Sequence, residues 1–467
     1  MRVNRAGESE NQFSLTHTQR QKRQFLLSLK KMSDSRLPVG DLSLVARDTI
    51  LAGLQTVLDP QLVLGRLRQQ HPEVNWEKPA ITYVQYKPQA GCLAAYRIEA
   101  NGLEIEFYGK AYPVALRHDL GPGYRGEDFV QRLGTRRVWV NFEDIATAIY
   151  FFPSDRNLGG LTSLAPDHRR KRLLKGMVPG SSYLPTARLQ AVRYKPERRY
   201  VAKLLHEGIP CATLKTYAPA GYLTALANSH IFRSEDVLRI PKQLGCSNEN
   251  GVLLFQWLPG NTLREVLTSS RPEVDSVLLV GRALACLQGQ PGTELPLFTR
   301  EEEVRRTIAL ADWLSFVCPE LAPRVSGVSR KLSATLAAFP AGDCPCHGDF
   351  YADQVILLPE GSVGVLDLDR ACRAERALDL GLFLAHLERD ILENELPEQV
   401  GEKAKAAFLT GYSRVASLPD PDHLAFYTAL GLFRLTPDPF RRRNADWFAR
   451  TEALLKRVET YLHDPPW

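Results

Sequence analysis

The sequence predicts an α+β fold, and three observations favour that class. Short alternating apolar stretches bounded by Pro and Gly fill much of the first half of the 467-residue chain and predict antiparallel strands. Helical periodicity dominates the second half, as is typical of α+β proteins. Third, the first half contains the same sequence pattern, helices followed by strands, twice in succession. The length exceeds that of one compact core, so we expect two or three domains.

The strand-rich half begins with helices. Apolar residues recur at helical spacing over residues 42–70, and Asp59-Pro60 marks the point where a second helix can begin. The stretches that follow alternate apolar and polar residues, and Lys-Pro and Asn-Gly pairs between them are hairpin signals. We expect a small antiparallel sheet with strands at 81–86, 92–98 and 103–108.

This layout returns roughly 106 residues later. Each match stands in the same structural place, either before a helix or at the end of a strand. The matched strings are Leu58-Asp59-Pro60 with Leu164-Ala165-Pro166, Tyr86-Lys87-Pro88 with Tyr194-Lys195-Pro196, and Lys110-Ala111-Tyr112 with Lys215-Thr216-Tyr217. We expect a duplicated helix-plus-sheet unit. Chance similarity is the alternative, because the strings are short.

Composition and charge exclude few classes of protein. With 44% hydrophobic and 24% charged residues the chain is of ordinary globular type, and a net charge of +6 decides neither for nor against an anionic ligand. Eight scattered cysteines without a secretory signal predict reduced thiols in a cytoplasmic protein. No long apolar run occurs, so we expect no membrane span. Residues 1–40 are polar and predict a disordered or loosely attached tail.

One stretch in the helical half carries residues suited to a reaction. Residues 345–358 read as a loop with carboxylates and an amide followed by an apolar strand, and a second apolar strand then ends at Asp-Leu-Asp. Phosphoryl transfer from a nucleotide needs a carboxylate to accept the hydroxyl proton and oxygen ligands to hold Mg²⁺. Asp349, Gln354 and Asp367 fit these roles, with Asp369 as a further oxygen donor. Ordinary turn and strand-end residues are the alternative, since Asp is common in turns.

The string H-G-D-x-x-x-x-Q over residues 347–354, the apolar hairpin after it and L-D-x-D over 366–369 resemble the aminoglycoside phosphotransferase and choline kinase group of small-molecule kinases. Ala-Leu-Asp-Leu-Gly at 377–381 is similar to a later segment of that family. The group usually has Asn at the position of Gln354, whereas bacterial maltokinases look similar and carry Gln. The resemblance implies a two-lobed protein-kinase-like fold, ATP and Mg²⁺ as cofactors, and a small-molecule hydroxyl as acceptor.

The resemblance also implies roles for single residues. These are catalysis for Asp349, magnesium binding for Gln354, Asp367 and Asp369, phosphate binding for Lys215, and adenine binding for the Gln256 carbonyl and the Leu258 amide. The last two belong to a strand and an L-P-G-x-x-L string that are similar to the hinge between kinase lobes. The helix after Lys215 should offer a Glu to pair with it, but residues 219–232 contain no acidic side chain. Glu235 and Asp236 are the nearest candidates, so this ion pair stays open.

The repeat and the resemblance together divide the chain. We expect the tail at 1–40, a cap-like first copy at 41–150, a kinase N-lobe formed by the second copy at 151–255, and a helical C-lobe at 256–467. Maltokinases have an N-terminal cap, so the first copy is expected to be structural or regulatory, with Lys110 as a relic without a nucleotide. A sheet that helps to enclose the acceptor is the alternative.

Several alternatives stay open from the sequence alone. A maltokinase-like sugar kinase shares every motif, and a pseudokinase would keep the fold without turnover. Asp379 either steadies the catalytic loop or caps its helix. The basic run at 169–172 could face nucleic acid, but a solvated helix face is the stronger interpretation. We therefore expect a nucleotide and a small acceptor as partners, and neither nucleic acid nor a membrane.

Overall fold

The computed structural model describes residues 38–118, 120, 139–339 and 342–465, and it confirms the α+β class. The tail predicted at 1–40 lies outside the described residues except for its last three. None of the eight cysteines forms a disulfide. Within the described ranges, no helix has the length and apolar character needed to cross a bilayer.

A first unit of helices and a sheet comes first in the chain. Its described elements are α1 (Val39–Arg47), α2 (Leu54–Leu58), α3 (Pro60–Gln70), β1 (Trp76–Lys87), β2 (Gly91–Ala100), β3 (Leu103–Ala111), β4 (Trp139–Phe142) and β5 (Thr147–Phe151). The side chain of Asp59 accepts hydrogen bonds from the amides of Gln61 and Leu62, and Pro60 lies in the first turn of α3. The helix start predicted at Asp59-Pro60 is therefore confirmed, with the cap that explains it.

A second unit repeats this arrangement. Its elements are α4 (Leu161–Leu164), α5 (Asp167–Met177), β6 (Arg188–Lys195), β7 (Arg199–His206), β8 (Ile209–Tyr217), α6 (Pro219–Asn228), β9 (Leu238–Arg239), β10 (Gln243–Ser247) and β11 (Val252–Gln256). The sheet of this unit has the order β6-β7-β8-β11-β10, and the first sheet has the order β1-β2-β3-β5-β4. In each sheet three strands follow in succession and the last strand lies between the third and the fourth. This shared strand order matches the expected duplication.

The first hairpin turn is built alike in both units. One carboxylate oxygen of a buried aspartate accepts two hydrogen bonds, one from a Tyr hydroxyl and one from the backbone amide of the residue three positions after that Tyr. The residue that donates this amide has a positive φ. In the first unit these are Asp48 Oδ2, Tyr86 at 2.7 Å and Gln89 at 2.9 Å with φ 60°, and in the second they are Asp155 Oδ2, Tyr194 at 2.7 Å and Glu197 at 2.8 Å with φ 59°. The units therefore share side-chain contacts as well as topology.

Helices dominate the rest of the described chain. They are α7 (Leu263–Leu267), α8 (Val277–Gln288), α9 (Arg300–Val317), α10 (Ala322–Ala338), α11 (Ala377–Leu392), α12 (Glu398–Ser413), α13 (Pro421–Leu435), α14 (Asp438–Arg441) and α15 (Trp447–His463). The short strands between them are β12 (Asn261–Thr262), β13 (Cys344–Cys346), β14 (Val355–Leu357), β15 (Val363–Val365) and β16 (Cys372–Ala374). β14 and β15 form the predicted apolar hairpin inside the order β12-β14-β15-β9, and β13 pairs with β16. The hairpin brings the Asp-Leu-Asp string back beside the loop with the His-Gly-Asp string.

The first unit packs on the C-terminal helices. Trp313 of α9 donates from Nε1 to the Tyr86 carbonyl at 3.0 Å. The Tyr86 ring lies 6.5 Å from the ring of Phe316 and 6.2 Å from the ring of Phe440. A single apolar core joins the first sheet to α9, α10, α13 and α15. Because this core is continuous, the first unit is an integral part of the fold and not an appended module.

Candidate active site

Strand β8 presents Lys215 on the face of the sheet that is turned away from α5. Side chains alternate along a strand, so Thr213 and Lys215 share one face, while Ala212 and Leu214 are buried on the other. The Lys215 side chain is only 12% exposed, and its Nζ lies 5.5 Å from the centre of the Phe255 ring. A lysine this buried is found in proteins almost only with a charged partner.

That partner is the carboxylate pair after β15. Lys215 Nζ lies 2.9 Å from Asp367 Oδ1 and 3.8 Å from Asp369 Oδ1. Arg199, the first residue of β7, reaches the same pair with Nη1, 2.5 Å from Asp367 Oδ1 and 2.8 Å from Asp369 Oδ2. The Tyr217 hydroxyl donates to Asp369 Oδ1 at 3.1 Å. The ion pair left open by the sequence is therefore made with Asp367, whereas Asp236 pairs with an arginine of α8.

Backbone and charge at Asp367 act together. Its φ is 64°, in the left-handed region, which Asp tolerates better than most residues. Burial alone would raise the pKa of Asp367, but the charges of Lys215 and Arg199 outweigh it and hold the pKa well below its ordinary value. Burial raises the pKa of Asp369, opposed by Lys215 and reinforced by the neighbouring Asp367 carboxylate. Asp367 is consequently an anion at neutral pH.

The loop with the His-Gly-Asp string is anchored by Asp379. Its Oδ2 accepts the His347 amide and its Oδ1 accepts the Gly348 amide, both at 2.8 Å, and Gln288 donates to it at 3.1 Å. Asp379 is fully buried and lies inside α11, whose N-cap is Arg376. Of the two roles that the sequence left open for Asp379, the structure favours the loop anchor over the helix cap.

His347 and Gly348 shape the same loop. His347 Nε2 donates to the Leu366 carbonyl at 2.6 Å, and Nδ1 accepts the Asp349 amide at 3.3 Å. Both nitrogens of this buried imidazole are therefore used by the backbone, and the ring ties the loop to the end of β15. Gly348 has φ 77°, and a Cβ there would collide with the Arg370 carbonyl oxygen. Only glycine fits that close approach.

The predicted catalytic and metal residues lie around this loop. The Asp349 carboxylate is 32% exposed, with Arg370 at 3.8 Å. Gln354 is nearly buried, and its Nε2 lies 3.1 Å from the Tyr351 hydroxyl and 3.4 Å from Asp367 Oδ2. Among the described residues, no three His, Cys, Asp or Glu side chains are grouped to hold a metal ion. The oxygen ligands that could hold a magnesium ion here are the Asp367 and Asp369 carboxylates and the Gln354 amide oxygen.

A cavity of about 230 Å³ lies between the second sheet and the β14-β15 hairpin. Apolar side chains form most of its wall, and its charged end is made by Arg199, Lys215, Gln354, Asp367 and Asp369. The predicted hinge residues Gln256 and Leu258 also line it, whereas Asp349 is not among its described lining residues. An apolar slot that ends in fixed charges suits an aromatic base with a charged tail.

Two candidates on the first hairpin of the second unit were missed from the sequence. One is Arg199, with its contacts to both carboxylates. The other is Lys195, whose pKa is lowered to about 7 by burial and by the charges of Arg193, Arg199 and Arg198. The available signal was the density of basic residues in the Lys-Pro-Glu-Arg-Arg turn. The basic run at 169–172 behaves differently, since its residues are exposed except for Arg170, which is buried.

Comparisons with known proteins give one family match and several similar structures. A family model described as "Phosphotransferase enzyme family" matches residues 189–427, just over half of the chain. A comparison with curated sequences finds no significant match. Among solved structures, the chain is similar to an aminoglycoside phosphotransferase from Streptomyces rimosus, with 19% identity, a TM-score of 0.39, and coverage of 52% of this chain and 91% of that chain.

Two further structures are similar at a comparable level. One is a thermostable mutant of the aminoglycoside phosphotransferase APH(4)-Ia in complex with ADP and hygromycin B, with 14% identity, a TM-score of 0.45, and coverage of 64% of this chain and 99% of that chain. The other is a choline/ethanolamine kinase family protein from Mesorhizobium loti, with 15% identity, a TM-score of 0.42, and coverage of 63% and 94%. The family match spans the second sheet, the predicted hinge and the loop with the His-Gly-Asp string. The chain belongs to the phosphotransferase enzyme family.

Proposed function

We propose that the protein is an ATP-dependent phosphotransferase that transfers the γ-phosphate to a hydroxyl group of a small polar molecule. The observation that carries the proposal is the convergence of Arg199 and Lys215 with Asp367, Asp369 and Gln354 at the charged end of one cavity. A purely structural ion pair would not need two cations, two carboxylates and an amide at the end of an apolar slot.

The nucleotide would use both ends of the cavity. Its base would enter the apolar part, beside the hinge backbone of Gln256 and Leu258. Its phosphates would meet Lys215 and Arg199, which contact the Asp367 and Asp369 carboxylates in the structure. Two cations at this place suit a triphosphate, because the charge on the transferring group must be balanced throughout the reaction.

The oxygen donors at the same place fit magnesium. Gln354, Asp367 and Asp369 would hold the ion, because Mg²⁺ prefers hard oxygen ligands and is usually bound by one or two carboxylates together with phosphates. When bound, it neutralises charge on the β- and γ-phosphates. Gln354 Nε2 donates to Asp367 Oδ2 at 3.4 Å, so the amide would have to rotate to turn its oxygen toward the ion.

Asp349 would be the general base. Its carboxylate would accept the proton of the acceptor hydroxyl while that oxygen bonds to the γ-phosphorus. The bond from the γ-phosphorus to the bridging oxygen would break, and ADP would leave. A positioned base contributes about 10² to 10⁴ in rate. The hydrogen bonds from the His347 and Gly348 amides to Asp379 would hold the loop that carries this base.

The test is magnesium-dependent turnover of ATP and GTP by the purified protein against sugars including maltose, amino alcohols and aminoglycosides. Asp349→Asn and Asp367→Asn remove the base and a metal ligand. Asp343→Asn is the control, because Asp343 is an exposed carboxylate that pairs with Arg373 at the edge of the same loop. We expect acceptor-dependent turnover in the wild type and the control, and a loss of about 10²- to 10⁴-fold in the other variants.

The panel also separates the alternatives. Turnover with maltose and with no other acceptor would show that the protein is a maltokinase-like sugar kinase. If the wild type neither binds nucleotide with magnesium nor turns over any acceptor, the proposal is wrong and a pseudokinase becomes the better account.

A further inference from the structure

We propose that Lys110 of the first unit positions the phosphate-binding hairpin of the second unit. Lys110 Nζ lies 2.5 Å from Glu197 Oε2. Glu197 is in the turn between β6 and β7, and two residues later the chain reaches Arg199. The inference rests on the proposed function, because it concerns side chains that bind phosphate in that proposal.

The ion pair is sheltered from solvent. The Lys110 and Glu197 side chains are 24% and 12% exposed. The second carboxylate oxygen of Glu197, Oε1, is buried and has no hydrogen-bond partner within the described part of the chain. Lys110 also lies 5.2 Å from the centre of the Tyr112 ring, which favours a cation at that place. Removing the lysine would take away the cation that contacts this largely buried carboxylate, which is costly.

The backbone of the same turn is held from another direction. The Glu197 amide donates to Asp155 Oδ2 at 2.8 Å, and the Tyr194 hydroxyl donates to the same oxygen at 2.7 Å. Asp155 is fully buried, and Glu197 has φ 59°. The turn therefore has two anchors, Asp155 for its backbone and Lys110 for its side chain. Kinases of this fold often cover the phosphates with glycines, whereas here fixed polar contacts hold the turn.

The anchored turn lies between the basic residues of the site. Lys195 precedes it and Arg199 follows it, and Arg199 reaches both Asp367 and Asp369. Because Arg199 begins β7, the place of its guanidinium depends on where the turn lies. A displacement of about 1 Å in groups that orient a substrate can cost up to about 10² in rate. Loss of the Lys110 contact should therefore be measurable at the nucleotide.

The repeat explains why a lysine stands there. Lys110 and Lys215 occupy the same position on the third strand of their sheets, and each meets a carboxylate from outside its own sheet. Lys215 meets Asp367, whereas Lys110 meets Glu197. The expectation that Lys110 is a relic is therefore replaced by a specific contact, which links the first unit to the proposed reaction.

The experiment compares Lys110→Met with Lys78→Met. Lys78 belongs to the same sheet and pairs with Glu99 at 2.8 Å, but its side chain is 71% exposed. Lys78 is also distant in sequence from the β6-β7 hairpin. The measurements are the dissociation constant of a fluorescent ATP analogue with magnesium, and hydrogen exchange of residues 194–200 in the nucleotide-free protein. We expect Lys110→Met to weaken binding about tenfold and to speed exchange of this segment, with Lys78→Met unchanged.

Charge reversal gives a second arm. Lys110→Glu should weaken binding further, and the double variant Lys110→Glu with Glu197→Lys should recover most of the affinity. If Lys110→Met does not fold, Glu197→Gln carries the same expectation, because it removes the charge but keeps an acceptor. Equal binding in the wild type and Lys110→Met, or equal weakening by both lysine variants, would overturn the inference.

The proposed function and the inference can fail separately. If the wild type binds no nucleotide, the proposed function is wrong. Hydrogen exchange then still tests whether the Lys110–Glu197 contact holds the turn. Faster exchange of residues 194–200 in Lys110→Met alone supports it, and unchanged exchange overturns it.

Discussion

The two five-stranded sheets share a strand order, a hairpin turn and a lysine on the third strand, and they differ in what faces that lysine. Lys215 meets Asp367 and Asp369 at the end of a cavity. Lys110 meets Glu197 in the interface between the two units. The comparison teaches that the sheet supplies a position for a cation, while the segments packed against the sheet decide what that cation does.

The difference arises from the second half of the chain. The β14-β15 hairpin brings the Asp-Leu-Asp string to the second sheet, where Arg199 joins Lys215 on it. The first sheet instead packs on α9 and α14. Lys110 of the first sheet therefore pairs with Glu197, a carboxylate of the second unit. The same scaffold therefore serves a proposed active site in one copy and a structural contact in the other.

The sharpest test of this contrast exchanges the carboxylate partner of each lysine for an amide. Asp367→Asn should lower kcat/KM by about 10³-fold, because it removes both a proposed metal ligand and the counter-ion of two cations. Glu197→Gln should lower it only about tenfold, through the position of the hairpin. Steady-state kinetics with the preferred acceptor measure both. Similar losses in the two variants would contradict the division of roles between the sheets.

The next largest effect is expected at Arg199. The first unit has Gly91 at the corresponding position and therefore no cation there. Arg199→Met should reduce kcat/KM for the nucleotide by about 10²-fold, because a cation that balances phosphate charge is lost. The variant also frees Asp369 of a charged contact. Kinetics at saturating acceptor provide the measurement, and Arg198→Met is the control, since Arg198 adjoins Arg199 but is exposed and is not among the described lining residues of the cavity. An equal loss in the control would show only a general need for positive charge.

A smaller effect distinguishes the two hairpin turns. Asp48→Asn and Asp155→Asn each weaken the same pair of hydrogen bonds, which costs about 1 to 3 kcal/mol at a buried site. Both should lower the thermal midpoint to a similar extent. Only Asp155→Asn should also raise the KM for the nucleotide, by about fivefold, because only its turn leads to Arg199. A nucleotide effect of Asp48→Asn would mean that stability alone explains both.

Local structure could be predicted well from this sequence, and long-range partners could not. The strands expected at 81–86, 92–98 and 103–108 are found within Trp76–Lys87, Gly91–Ala100 and Leu103–Ala111, because hydrophobic periodicity is a property of neighbouring residues. A motif singled out Asp349, Gln354 and Asp367 as candidates, whereas Arg199 and Lys195 were missed. The partner of Lys215 was not, since Asp367 lies 152 positions away and its direction depends on a φ of 64° that no pattern signals. Asp48 and Asp155 were missed because Asp is common in loops.

The smallest predicted effect concerns pH and Lys195. Burial and the charges of Arg193, Arg199 and Arg198 lower the pKa of this lysine from 10.5 to about 7 in the nucleotide-free protein. Bound phosphates would favour its charged form and raise the pKa in the complex. Binding would then take up a proton above pH 7, so affinity should fall as pH rises from 7 to 9 and should not change on this account below 7.

Titration of a fluorescent ATP analogue between pH 6 and 9 measures this dependence. Lys195→Met should bind more weakly at pH 7 and lose the part of the slope that the wild type shows above it. Because both proteins are measured with the same nucleotide, the titration of its own phosphates cancels in the comparison. Parallel pH profiles for the two proteins would mean that Lys195 does not contact the phosphates, and the hairpin would then act on the nucleotide through Arg199 alone.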